Sequence, residues 1–227
     1  MTAFKIRQRI GESSQQELTG KEFIHPFITV AREPGSGGAP IAQAVADKLG
    51  FTFVDEQIIE EIAKSTRKRR EIIKAVDEKS RSKIDDMVHS MLNTEYINDL
   101  TYMKELTQVI LAYALKGNVV ILGRGANFIT PFGQGLHVSI TAPYEVRVQR
   151  AMDFEGHSRS KAKQIIREVG NERKAFVKQY LQQDVRKRNS YDLTLNTTYF
   201  QVDEAREVII EAFYRKFSRA VPYGKRF

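Results

Sequence analysis

Three glycines in four residues, Gly35-Ser36-Gly37-Gly38, separate a short apolar run, Phe27-Ile28-Thr29-Val30-Ala31, from a stretch where Ile41, Val45 and Leu49 recur at helical spacing. The run is β-branched and too apolar to face water, so it reads as a buried strand. The stretch after it reads as a helix that Gly50 ends. In an open parallel sheet, ligands bind beyond the carboxyl ends of the strands. A helix that starts there points unpaired N–H groups and a positive dipole end at the ligand. Glycines let the backbone wrap closely around an anion as a nest of N–H groups. A tight turn alone needs one glycine, hardly three, so a phosphate is the occupant this turn predicts.

The rest of the chain repeats the alternation. Phe51-Thr52-Phe53-Val54, Val119-Val120-Ile121-Leu122, Leu136-His137-Val138-Ser139-Ile140 and Asp192-Leu193-Thr194-Leu195-Asn196 read as further strands. Helical patterns fill about 56–116, 143–154, 159–182 and 203–217. Apolar strands separated by helices predict a three-layer α/β/α fold around a parallel, roughly five-stranded sheet. Two helical stretches, about 56–116 and 150–190, exceed what a crossover needs and read as insertions that close over a ligand. Residues 1–22 are polar and aperiodic and read as a flexible arm, 23–218 as one domain, and 219–227 as a basic tail.

With 41% hydrophobic and 28% charged residues, the 227-residue chain is expected to be globular rather than disordered. No run approaches the roughly 20 apolar residues that span a bilayer. The start, MTAFKIRQRIGESSQQELTG, lacks the apolar segment of a secretory signal. Cysteine is absent, which removes disulfides and thiolate chemistry. A cytoplasmic location is the simplest expectation. His25, His89, His137 and His157 show no metal-ligand spacing, so no protein-held metal centre is expected. His137 lies within a predicted strand and reads as structural. The net charge of +8 favours anionic partners, whether phosphorylated small molecules or nucleic acid. The basic residues crowd into Arg67-Lys68-Arg69-Arg70, 147–188 and the tail. No known nucleic-acid-binding signature accompanies them, which leaves nucleic acid the weaker of the two.

The turn departs from G-x-x-x-x-G-K-[ST]. Gly38 takes the place of the lysine, and Ala39 and Pro40 bring no hydroxyl for Mg²⁺. The missing charge must come from elsewhere. Arg32, just before the turn, is one candidate, and Glu33 could reach a metal through water.

Five blocks in order resemble the cytidylate kinase-like family. Ile28-Thr29-Val30-Ala31-Arg32-Glu33-Pro34-Gly35-Ser36-Gly37-Gly38 is similar to its opening, and Phe53-Val54-Asp55-Glu56-Gln57-Ile58-Ile59 to its second block. Val120-Ile121-Leu122-Gly123-Arg124-Gly125-Ala126-Asn127-Phe128-Ile129 is similar to its third. Ala142-Pro143 with Arg147-Val148-Gln149-Arg150 is similar to the fourth, and Tyr191-Asp192-Leu193-Thr194-Leu195-Asn196-Thr197 to the last.

The resemblance implies a P-loop nucleoside monophosphate kinase fold with an acceptor-binding insertion and a lid. The activity it implies is transfer of the ATP γ-phosphoryl group, as the Mg²⁺ complex, to CMP or a related nucleotide. Gly35, Ser36, Gly37, Gly38, Ala39 and Pro40 would then hold ATP, with Mg²⁺ carried mainly by phosphates and water. Arg124, at the carboxyl end of the strongest strand, matches phosphate oxygens in geometry and would grip the acceptor. Asp55 and Arg147 would join it, although Asp55 reads equally as a helix N-cap. Arg32, Arg124, Arg150 and Arg173 would neutralise charge during transfer. The chain departs from the family at Ala39 and Pro40, where Arg and Glu often follow the glycines, and Gly125 replaces the Asp of an Arg-Asp pair. A nucleotide-binding protein with little catalysis is the alternative those departures raise. Monomer and homodimer both remain open.

Overall fold

The computed structural model describes residues 25–76, 78–91 and 100–217. The arm expected at 1–22 and the tail expected at 219–227 lie outside the described residues. Five strands form one parallel sheet: β1 (Phe27–Arg32), β2 (Thr52–Val54), β3 (Val119–Leu122), β4 (Gly135–Thr141) and β5 (Leu193–Asn196), in the order β2-β3-β1-β4-β5. The strand holding the glycine turn is therefore central. Ile28 registers with Val120 on one side and Leu136 on the other.

Strand alternation sends successive side chains to opposite faces, and each face has its own core. Ile28, Val30, Val120, Leu122, Val138 and Ile140 pack under α1 (Gly38–Leu49) and the last long helix. Phe27, Val119 and Ile121 pack on the other face under Met103, Leu106 and Ile110. This is the expected three-layer α/β/α sandwich with a parallel five-stranded sheet.

Between β2 and β3 the expected helical stretch resolves into α2 (Glu56–Lys64), α3 (Thr66–Lys74), α4 (Glu78–Met91) and α5 (Leu100–Lys116). Ser65 ends α2 and caps α3, its hydroxyl accepting from the Lys68 N–H at 3.4 Å. A short helix, α6 (Ala126–Ile129), follows β3 and was not anticipated, because four residues are too few to show a helical period.

Beyond β4 come α7 (Tyr144–Glu155) and α8 (Arg159–Leu181), near the predicted bounds. Gly156, at φ 68°, ends α7, and Ser158 caps α8. The two helices meet through Val148, Ala151, Ala162 and Ile166. At its far end α8 packs Phe176, Tyr180 and Leu181 against the core that α5 covers, so it crosses above the carboxyl ends of the strands. The last helix, α9 (Val202–Lys216), opens with a capping box between Gln201 and Glu204. Among the described residues, no helix is long and apolar enough to cross a membrane.

Candidate functional site

Gly35 and Gly37 carry φ of 77° and 79°, values that favour glycine, and so turn the chain from β1 into α1. Ser36 is fully buried beneath the turn, and its hydroxyl donates to the Glu33 carbonyl at 2.8 Å. The Ser36 carbonyl points away from the crevice and accepts from the Thr197 hydroxyl at 2.8 Å and from Arg150 at 3.3 Å. The Ser36 N–H is also taken, donating to the Glu33 carbonyl at 3.2 Å. The first N–H groups of a helix have no intrahelical partner, so those of Gly38 and Ala39 remain for an anion. Pro40 has no N–H, which reduces the donor set by one.

In front of the sheet lies a cavity of about 460 Å³. The core contributes Arg32, Arg124 and Arg147; α8 contributes Arg167, Arg173 and Lys174; the segment after it contributes Arg186 and Arg188. Against these eight cations stand two carboxylates, Glu33 and Glu56. Arg167, Lys174 and Arg188 make no ion pair among the described residues. Phe128, Phe176, Val177 and Tyr191 supply apolar wall. A small pocket with apolar sides and a large excess of one charge suits a compact organic anion.

Glu56 organises the crevice floor. Its carboxylate pairs with Arg32 at 2.8 Å and with Arg173 of α8 at 3.5 Å. Burial would raise its pKa, but Arg32 and Arg173, with Arg124 behind them, together hold it below the usual carboxylate value. Burial, then Arg32, lowers the pKa of Arg173, while Glu56 opposes the shift. The Arg32 side chain is only 8% exposed and passes between two glycines. A Cβ on Gly38 would overlap Arg32 Cβ and come within 2.9 Å of its Cγ, and one on Gly123 would overlap Arg32 Nη1.

Gly123, Arg124 and Gly125 all have positive φ, at 88°, 47° and 64°. For Arg124 this is the left-handed region that few bulky residues occupy, and such strain concentrates at functional sites. The turn aims its guanidinium at Glu60 of α2, with which it pairs, and sets it 4.9 Å from the centre of the Phe176 ring. Buried Arg124 Nε has no hydrogen-bond partner, while the guanidinium as a whole lines the cavity. The Tyr102 hydroxyl donates to Glu60 at 3.4 Å; burial chiefly raises its pKa to about 12, so it stays protonated.

The predicted residues thus divide by position. Arg32, Arg124 and Arg173 meet in one network, and all three line the cavity. Arg147 lines it too but spends donors on backbone: Nε donates to the Ala142 carbonyl at 2.9 Å and Nη1 to that of Pro34 at 3.3 Å. Arg150, expected at the transfer point, sits behind the turn, bonded to the Thr197 carbonyl at 2.6 Å and hydroxyl at 2.9 Å. It is not among the cavity-lining residues. Asp55 caps α2, accepting from the N–H groups of Gln57 at 3.0 Å and Ile58 at 2.9 Å. Its carboxylate is occupied by that cap and lies outside the cavity lining.

Glu56, Glu60 and Thr197 were not singled out from sequence. The two glutamates sit four apart on α2 and so share a face, a spacing that signals a paired role only once their partners are known. Among the described residues, no group of three or more His, Cys, Asp or Glu side chains could hold a metal ion. Glu33, beside the turn and 42% exposed, fits a Mg²⁺ ion that arrives on phosphate oxygens and keeps its waters.

The family model described as the cytidylate kinase-like family matches residues 27–199. A cytidylate kinase of Natronomonas pharaonis is 25% identical over 187 residues, covering 82% of this chain and 88% of that protein. One from Staphylothermus marinus is 28% identical over 193 residues, covering 84% and 97%. An uncharacterized protein of Eubacterium ventriosum has the same fold, with a TM-score of 0.63 at 20% identity, covering 82% of this chain and 97% of that one. The chain belongs to the cytidylate kinase-like family.

Proposed function

We propose that this member of the family transfers the γ-phosphoryl group of ATP to CMP or a related nucleoside monophosphate. One observation carries the reading: a cavity that reaches the glycine turn at Pro34 has eight cations and two carboxylates in its lining. An acceptor phosphate oxygen would attack the γ-phosphorus as the bond to the β,γ-bridging oxygen breaks, and the electron pair would leave with ADP. Such a reaction needs little covalent chemistry from the protein. It needs alignment, and positive charge around the transferring oxygens.

Each group has a part in that task. The turn would hold the donor through the N–H groups of Gly35, Gly37, Gly38 and Ala39, with Ser36 bracing it through its bonds to the Glu33 carbonyl and Pro40 fixing the first helical turn. Arg124 would grip the acceptor phosphate with the guanidinium it brings to the cavity lining. Arg173, carried on α8, would reach the transferring group from above. Arg147 and Arg150 would act as positioning residues, fixing Pro34 and Ser36 of the turn. Asp55 would act through α2, by setting where Glu56 and Glu60 stand. Glu33 would hold a water of a Mg²⁺ ion carried in on the nucleotide, which would supply neutralising charge for the phosphates.

An ADP-release assay over CMP, dCMP, UMP and AMP tests the reading, with CMP or dCMP expected to be turned over fastest. No turnover with any acceptor, in a folded preparation that binds ATP, would refute transfer. It would favour a second reading, a nucleotide-binding protein with little catalysis, which Gly38, Ala39 and Pro40 motivate.

A further inference from the structure

We infer that Arg32 supplies, from the end of β1, the phosphate-facing charge that a lysine at position 38 would otherwise supply. The inference rests on the phosphoryl-transfer reading and gives that reading its missing cation. Gly38 is the first residue of α1, and its φ lies outside the left-handed region, so its backbone does not require glycine. What excludes a side chain there is space. A Cβ on Gly38 would collide with Arg32 Cβ and Cγ, so the volume a lysine stem would need is already filled by another cation's stem. Gly123 leaves room in the same way for the guanidinium, which a Cβ would overlap at Nη1. Gly38 at the start of α1 and Gly123 after β3 thus flank the path that Arg32 takes.

The head emerges at a useful place. Arg32 lines the cavity between the glycine turn and Arg124, where a donor phosphate on the turn would face an acceptor held by Arg124. Without ligand, the guanidinium is paired with Glu56 at 2.8 Å, and the same carboxylate pairs with Arg173 of the crossing helix. Glu56 is therefore a positioning residue. It holds two guanidinium groups, one from the core and one from α8, in an arrangement that phosphoryl oxygens can take over. The swap also changes the chemistry. An arginine offers a rigid fork of donors to two oxygens at once, where a lysine offers a point charge.

The test is a set of three variants: Arg32→Ala, Gly38→Lys and the double variant. Turnover is measured with the best acceptor, and ATP binding is measured by calorimetry. Arg32→Ala is expected to lower kcat by about 100-fold, with acceptor KM changed less than about threefold, and to weaken ATP binding about tenfold. Gly38→Lys alone is expected to be similarly impaired, because its stem displaces Arg32. Arg32→Ala/Gly38→Lys should recover at least about tenfold over Arg32→Ala in both readouts, since the lysine then finds the vacated space. Arg32→Lys, which keeps charge and most of the stem, should fall between wild type and Arg32→Ala. It gives the reading if the alanine variant does not fold.

Arg32→Ala or Arg32→Lys with unchanged kcat and ATP affinity would overturn the inference. So would a folded double variant no better than Arg32→Ala. The binding arm separates this failure from failure of the kinase reading: a wild type that binds ATP without turnover refutes transfer, while loss and recovery of ATP affinity still report on Arg32.

Discussion

The two ends of the sheet both gather charge, and they do so in opposite ways. At the amino ends of β4 and β5, the single ammonium of Lys216 meets both Asp192 oxygens at 2.7 Å, the Phe132 carbonyl at 2.9 Å and the Gly135 carbonyl at 2.8 Å. Asp192 also accepts from the His137 N–H at 2.8 Å. Acceptors are plentiful there, and the cation is fully used. At the carboxyl ends the ratio reverses: eight cations and two carboxylates line an open cavity, and Glu60 and Asp184 pair with two of those cations from outside the lining. A saturated cluster holds the fold together, because each group's desolvation is offset by its partners. An excess of one sign costs stability through self-repulsion, and such an excess suits a ligand that completes it. The molecule is closed at one end and prepared for an anion at the other.

Changes at each end should therefore separate activity from stability. The largest effect belongs to the crevice. Arg124→Ala is expected to lower kcat/KM for the acceptor by about 10²- to 10³-fold. Its partly exposed pair with Glu60 should contribute little to the melting temperature. Calorimetric unfolding beside steady-state kinetics checks both halves. A variant that loses stability while keeping its acceptor kinetics would erase the contrast between the two ends.

The next effect concerns acid. His137 is fully buried, hydrogen-bonds the Thr29 hydroxyl through Nδ1 at 2.6 Å and stacks on Phe132. Burial is the main reason its pKa is pushed down to about 4, with Lys216 adding to the shift and Asp192 opposing it. A histidine lowered in the folded state binds its proton more readily once unfolded. Stability should thus be complete above about pH 6.5 and fall as pH drops toward 4, by up to about 3 kcal/mol. Chemical denaturation at pH 7 and pH 4.5 measures the loss, and His137→Asn should flatten it. An unchanged slope in that variant would assign the acid sensitivity to other groups.

The smallest effect sharpens the comparison from the closed end. Lys216→Met removes the cation that joins α9 to Asp192 and leaves that carboxylate with the His137 N–H but no counter-charge. A loss of about 2 kcal/mol is expected in urea titrations, with ATP affinity unchanged. A drop in ATP affinity would show the two ends to be coupled.

Much of the fold was legible before any coordinates. Val119–Leu122 was read at its observed limits, and β1 gained only Arg32 beyond the predicted run. Those strands are buried on both faces, so their apolar runs are continuous and bounded by turns. The insertion was legible as helical but not as four helices, because Ser65 divides α2 from α3 without breaking the apolar pattern. In the site, the glycine turn and Arg124 were visible because each follows a strongly apolar strand. Glu56 was not, because its partners lie 24 and 117 residues away and nothing local marks the pairing.

By itself, then, the sequence determined the strands, their alternation with helices and the place of the turn. Burial and helical period leave local traces that residue order records. Tertiary structure alone decided which basic residues share the crevice. Arg150 and Arg173 look equivalent as residues on polar helices, yet one braces the turn from behind and the other faces Glu56 across the cavity. It also decided why Gly38 is glycine. A neighbouring side chain fills the space, and only packing between β1 and α1 brings that side chain there.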